Sequence, residues 1–177
     1  YRSEDGGEKW TLVSDDHRLR ERMWYYTWIY ADPKNPDLLW APSVSLLRSN
    51  DGGRTFAKVR VHHGDNHDMW IDPDEPARLI LGDDGGAAVS VTGGATWSTQ
   101  DNQPTAQIYP VTTDDRFPYW VYGAQQDNST IAIPSGVRSE GIDRTDWHPV
   151  GGGESGWKCA TRYGVFHGAR SKACRVL

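Results

Sequence analysis

Arg48-Ser49-Asn50-Asp51-Gly52-Gly53-Arg54-Thr55-Phe56 is the stretch whose reading decides the fold of this chain. A close echo, Arg2-Ser3-Glu4-Asp5-Gly6-Gly7-Glu8-Lys9-Trp10, stands near the start, and a worn copy, Ser90-Val91-Thr92-Gly93-Gly94-Ala95-Thr96-Trp97, follows further on. Each unit joins a serine, an Asp-Gly-Gly step (Thr-Gly-Gly in the third) and an aromatic residue. Asp-Gly between two apolar runs is a hairpin signal, because tight turns need positive φ and glycine adopts it without a Cβ clash. Asp51 can accept hydrogen bonds from N–H groups of the turn, and Ser49 can do the same more weakly. Phe56, like Trp10 and Trp97, opens the outgoing strand and can fold under the turn. Turn building alone accounts for every residue type in the unit.

The three serines stand at positions 3, 49 and 90, so the spacings are 46 and 41. A second marker runs beside them. Asp32-Pro33-Lys34-Asn35-Pro36, Asp72-Pro73-Asp74-Glu75-Pro76 and Asp114-Asp115-Arg116-Phe117-Pro118 begin 40 and 42 residues apart, and each precedes an apolar run. Two markers thus share one period and one phase. Between them lie short strand-like runs: 26–30, 38–41, 44–47 and 56–61; then 69–71, 79–81, 87–91 and 96–98; then 107–111, 120–124, 130–133 and 146–150. No stretch has a period of 3.6, so almost no helix is expected. Four-stranded units of about 40–45 residues mark a β-propeller; a β-sandwich is the alternative all-β fold, but needs no phased repeat.

The expected organisation is a partial β-propeller over residues 1–157. Its four-stranded blades cover about 23–61, 66–101 and 105–150, and residues 1–13 end a preceding blade. A closed propeller has about 4–8 blades, so the chain reads as a fragment whose first partners are the remaining blades of a longer chain. Residues 158–177 hold five basic residues, no acidic one and both cysteines, Cys159 and Cys174. They are expected to be an irregular tail, disordered or translated from a shifted frame, with a basic tail for an acidic partner as the alternative. Two cysteines make no disulfide framework.

The pattern Ser-x-Asp-x-Gly-x-Thr-aromatic resembles the Asp-box, or BNR, repeat of sialidases, sortilin-type receptors and xyloglucanase-type glycoside hydrolases. The likeness is full at Ser3, Asp5, Gly7 and Trp10 and at Ser49, Asp51, Gly53 and Phe56. It is partial at Ser90, Gly94 and Trp97, where Thr92 replaces the aspartate. Arg144-Thr145-Asp146-Trp147 looks like the end of a fourth box without its turn. The stretches 64–73, 83–86, 101–105 and 123–129 are similar to those of bacterial sortilin-like, glycosyl-hydrolase BNR-repeat proteins. The resemblance implies that the boxes are structural, on the outer rim between third and fourth strands. It also implies an extracytoplasmic or secreted location and a carbohydrate or peptide ligand.

With the rim structural, chemistry is expected in loops on a propeller face. Glycoside hydrolysis needs a pair of carboxyl groups, one acting as general acid. Asp68 leads, because it begins an innermost strand four residues before an Asp-Pro turn. Asp65 is its first partner, with Asp84 and Asp127 as alternatives. His63, His67, Trp70, Asp84, Gln125, Gln126, Asp127 and Asn128 are the candidate ligand-binding residues, since sugars are recognised by dense donors and acceptors beside aromatic platforms. The plainer reading is that these polar residues cap turns or face water. His63, Asp65, His67 and Asp68 could also meet a metal, but on an extended loop the i, i+4 spacing of the histidines has no ligand geometry. No cofactor is therefore expected; calcium at the Asp-rich turns is the alternative, without an EF-hand pattern.

Two function classes stay open: a carbohydrate-active propeller, glycoside hydrolase-like, whose fragment here would be inactive alone; and a sortilin-like propeller that binds peptides or proteins without catalysis. The net charge of -5 argues against nucleic acid, and no basic stripe stands out. The longest apolar run, residues 23–31, falls far short of the roughly 20 residues of a membrane span. Neither a phosphate-binding loop nor a Gly-x-Ser-x-Gly nucleophile elbow is present.

Overall fold

The computed structural model describes residues 1–103, 105–151, 157–161 and 164–168. They form two compact units, residues 1–103 and 104–177. The chain is all-β, and its helical content among the described residues is one 3-10 turn, His17–Arg20, where the Asp16 carboxylate accepts from Arg18 N–H.

The first unit holds two antiparallel sheets. One is four-stranded, in the order β1 (Tyr30–Ala31), β2 (Leu39–Ala41), β3 (Leu47–Ser49) and β4 (Ala57–Lys58). The other is three-stranded, in the order β5 (Asn66–Ile71), β6 (Leu79–Asp83) and β7 (Gly86–Ser90). Strand residues alternate between faces, and the burial follows. Trp40 turns to a core shared with Leu46 of its own sheet and Met69, Leu79 and Leu81 of the next, with Tyr30, Val59, Val61, Ile71 and Trp97 packed around it. Ala41 turns the other way, to Leu47, Phe56 and Leu19.

The serine-led turns are built alike. Ser3, Ser49 and Ser90 each accept through Oγ from the glycine N–H four residues on, at 2.8, 2.9 and 2.9 Å. The paired glycines all have positive φ: 73° and 100° at Gly6 and Gly7, 72° and 86° at Gly52 and Gly53, 64° and 83° at Gly93 and Gly94. Asp51 Oδ1 accepts from the N–H groups of Arg54 and Thr55, while its Oδ2 accepts from Thr55 Oγ1. These bonds, led by that from the Thr55 hydroxyl, hold the Asp51 carboxyl well below the usual carboxylate range.

Thr92 takes the same role with one oxygen, accepting from Thr96 N–H at 2.9 Å. Thr92→Asp should add a second acceptor for the turn and raise stability by about 0.5–1 kcal/mol. A higher thermal midpoint at pH 7 checks this, and an unchanged or lower one counts against it.

The two sequence markers meet in space. Gly52 N–H donates to the Asp37 carbonyl and Gly93 N–H to the Ala77 carbonyl, both at 2.9 Å, so each turn is tied to the residue that follows the Asp-Pro bend of its own sheet. The bends are themselves alike. Asp32 accepts from the N–H groups of Lys34 and Asn35, and Asp72 from those of Asp74 and Glu75. The shared phase of the markers therefore reflects one repeated hydrogen-bonded unit.

The second unit contains a four-stranded sheet, β8 (Ile108–Thr113), β9 (Trp120–Gln125), β10 (Thr130–Pro134) and β11 (His148–Gly151), in the order β11-β10-β9-β8, and a hairpin of β12 (Trp157–Thr161) and β13 (Gly164–Gly168). Its Asp-Pro-type bend is anchored by Asp114, which is only 5% exposed at its side chain and accepts from Trp120 N–H, Tyr122 Oη and Arg116 Nε. Burial pushes the Asp114 carboxyl up, but these donors outweigh it and hold it at about 2.

A carboxyl lowered by folding contributes stability above its unfolded pKa of about 3.9, and that contribution is lost as pH falls towards the folded value. Acid unfolding of the second unit should therefore steepen between about pH 4 and pH 2, and Asp114→Asn should flatten that limb. An unchanged acid limb in the variant would refute the assignment.

Three expectations need correction. Residues 96–98 do not form a fourth strand. Only one backbone bond remains there, from Ser98 N–H to the Val89 carbonyl at 2.8 Å, because Val89 N–H donates to the Ser98 hydroxyl instead of to a main-chain carbonyl. The sequence after Trp157 shows no strand pattern, yet 157–161 and 164–168 pair as a hairpin, joining β-prone Val165 and Phe166 to an opposing strand. Residues 144–147 make a different bend, in which Asp143 caps Thr145 and Asp146 accepts from Asp143 N–H. Cys174 lies outside the described residues.

Candidate functional site

In the first unit, the segment before β1, the start of β5 and the β6–β7 turn come together. Asp68 is exposed on β5. Its Oδ1 accepts from Tyr30 Oη at 2.5 Å and from its neighbour Met69 N–H at 2.8 Å. Burial, with the bond to Asp68, pushes the Tyr30 hydroxyl up to about 12, so it stays a proton donor to the carboxylate across the working pH range.

His67 alternates to the other face of β5. Its Nε2 bonds Asp84 Oδ1 at 2.6 Å, and since a carboxylate only accepts, that nitrogen carries the proton. Tyr25 and Tyr26 lie against its ring at centroid distances of 5.5 and 5.0 Å. Asp84 sits on the short β6–β7 turn beside Asp83, whose Oδ1 accepts from Gly85 N–H and whose two carboxylate oxygens both accept from Gln100 Nε2.

Asp65 pairs with Arg22, Oδ2 to Nη1, at 2.8 Å, and Arg22 also donates to Tyr26 Oη. Both members of this pair hold positive φ, 50° at Arg22 and 52° at Asp65. A non-glycine residue in that region is strained by roughly 1–3 kcal/mol, which the ion pair and neighbouring bonds must offset; such residues concentrate at binding sites. The remaining positive-φ non-glycine residue among those described is Asp127, at 54°. Trp70 is 50% exposed and Tyr25 61%. His63 bonds the Gly64 carbonyl through Nδ1 at 3.0 Å.

Asp65, His67 and Asp84 are thus joined through Arg22, Tyr25 and Tyr26, whereas Asp68, bonded to Tyr30, turns to the other face of β5. Gln125, Gln126, Asp127 and Asn128 belong to the second unit, where they close the β9–β10 turn. Gln126 accepts from Tyr109 Oη, Gln126 N–H donates to the Gln107 carbonyl, and Asn128 donates to the Gln126 carbonyl. No three His, Cys, Asp or Glu side chains among the described residues are placed to hold a metal ion.

Arg22, Tyr25, Tyr26 and Tyr30 were not singled out from sequence. The one signal available was the aromatic run 24–30, whose tyrosines alternate in burial.

No helix among the described residues is long and apolar enough to cross a membrane. No protein family and no curated protein matches the sequence. Among solved structures, the chain is similar to the Niastella koreensis GH74 enzyme (TM-score 0.40, 15% identity, over 70% of this chain and 21% of that one). It is also similar to an ancestral GH74 enzyme (0.37, 15%, 59% and 16%) and to the GH74 xyloglucanase from Xanthomonas campestris (0.38, 16%, 75% and 24%). The chain spans less than a quarter of the length of these structures, between 16% and 24%.

Proposed function

We propose that the chain is a segment of an Asp-box β-propeller that binds carbohydrate and, with its remaining blades, hydrolyses it. The observation that carries this reading is the pairing of carboxylates with fixed partners beside open rings. Asp68 is held by Tyr30 two residues before exposed Trp70 on β5, and Asp84 is held by His67, whose ring lies against exposed Tyr25. Carboxylates set in place are what glycoside hydrolysis uses, and exposed rings offer apolar faces to sugar. Asp68 is the leading catalytic group, with Oδ2 left for substrate. Asp65, tied to Arg22, serves the site through its shape.

A sortilin-like, non-catalytic peptide-binding module is the second reading, favoured by the exposed run Trp24, Tyr25, Trp28 and Ile29.

The test is titration of the chain, followed by NMR, with neutral cello- and xyloglucan oligosaccharides and with a pool of apolar peptides. Saccharide binding that weakens about tenfold in Tyr25→Ala or Trp70→Ala, as loss of one aromatic contact implies, supports the first reading. Peptide binding alone supports the second and overturns the first.

A further inference from the structure

A cleft of about 480 Å³ opens beside β4, between residues 44–46 and 58–64. Its origin is a mismatch in chain length. Val59 N–H donates to the Leu46 carbonyl and Asp65 N–H to the Val44 carbonyl, so six residues on one side span what two span on the other. The excess, from Arg60 to Gly64, bows away and leaves the space. Val59 and Val61 pack on the core, while Lys58, Arg60 and His62 lie exposed along the same wall. Among the described residues, none of these three basic side chains has an acidic partner. The backbone N–H groups of Arg60, Val61 and His62 likewise donate no hydrogen bond there. No acidic residue lines the cleft, although the chain carries a net charge of -5.

We propose that this cleft binds an acidic saccharide, one whose carboxylate or sulfate groups are taken by Arg60 and Lys58. Arginine's planar fork matches such oxyanions in bidentate fashion, and lysine supplies a point charge. The volume lies in the range of small-molecule sites, about 300–1,000 Å³, and exceeds what a lone inorganic anion fills. The apolar parts of Val44, Val59 and Val61, each partly exposed, offer walls for the carbon face of a sugar ring. The choice of a sugar as the carrier of the charge rests on the carbohydrate reading above; the preference for an oxyanion rests on the cleft alone.

The test is a calorimetric titration of the chain with an oligogalacturonate, a sulfated disaccharide, a neutral cello-oligosaccharide and inorganic phosphate. Expected is binding of one or both acidic sugars that weakens with added salt and falls at least about tenfold in the Lys58→Gln, Arg60→Gln double variant. The variant's thermal midpoint should be unchanged, since both side chains are exposed. The proposal is overturned if neither acidic sugar binds, if the double variant binds as well as the parent, or if phosphate or the neutral sugar binds as tightly. Neutral-sugar binding that responds to Tyr25→Ala or Trp70→Ala, with the acidic sugars unbound, would overturn this inference and leave the carbohydrate reading standing.

Discussion

Trp40→Ala is expected to destabilise the first unit by about 3–5 kcal/mol, enough to leave it largely unfolded at room temperature given the marginal stability of a small domain. Trp40 is fully buried on β2 and is the largest side chain in the core between the two sheets. Its ring edge lies where a Cβ on Gly94 would stand, 2.4 Å away, so it wedges the turn of the second sheet against the first. Arg48 reaches over the same ring, with its guanidinium carbon 5.1 Å from the centroid, and donates to the Gly93 carbonyl. Alanine would leave a cavity bounded by both sheets. Trp40→Phe should cost less than half as much, because Trp40 Nε1 is buried without a hydrogen-bond partner and phenylalanine removes that orphan donor along with the volume. Urea denaturation followed by the fluorescence of the other tryptophans measures both. A Trp40→Ala cost under about 1 kcal/mol would mean that the two sheets do not share this core.

The second large effect concerns Asp68. In the longer protein to which the proposed function assigns this segment, Asp68→Asn should lower kcat for glycoside hydrolysis by about 10²–10⁴-fold and change KM little. The amide keeps the size of the side chain and can still accept from Tyr30 Oη and Met69 N–H, so the fold of β5 should persist. The lost quantity is the charge, or the titratable proton, at Oδ2. A variant with undiminished hydrolysis would remove Asp68 from the catalytic role. A variant that fails to bind oligosaccharide at all would make it a binding residue instead. Tyr30→Phe separates the two roles further, since it removes the 2.5 Å bond to Asp68 and leaves the carboxylate.

What could be read from sequence divides by range. The serine-led turns and the Asp-Pro bends were legible because their chemistry is local. Each is closed by side chains bonding N–H groups two to four residues away, and positive φ confines glycine to fixed positions. Strands were expected near most of their observed places, but those of the first sheet were misplaced or overdrawn: 26–30 and 44–47 meet β1 and β3 at Tyr30 and Leu47 alone, and of 56–61 only Ala57–Lys58 is strand. The ion pair of Arg22 with Asp65 and the bond from Tyr30 to Asp68 were not legible, because the partners stand 43 and 38 residues apart and no local pattern announces them. Asp68 and His67 could be nominated as polar residues entering a strand, but not their separate partners on opposite faces. The missing strand at 96–98 turned on one serine hydroxyl competing for Val89 N–H. The cleft at 58–64 depends on unequal chain lengths between two backbone bonds, which composition does not reveal.

Amide hydrogen exchange at Gly52, Gly53, Gly93 and Gly94 tests the central claim, that one hydrogen-bonded turn recurs at the same place on successive sheets. Gly52 and Gly93 donate to the carbonyls of Asp37 and Ala77, and Gly53 and Gly94 to the hydroxyls of Ser49 and Ser90. The account predicts that all four amides are protected together and exchange far more slowly than that of exposed Gly141. Exchange of the Gly93 and Gly94 amides at the rate of an unstructured peptide, with Gly52 and Gly53 protected, would contradict it.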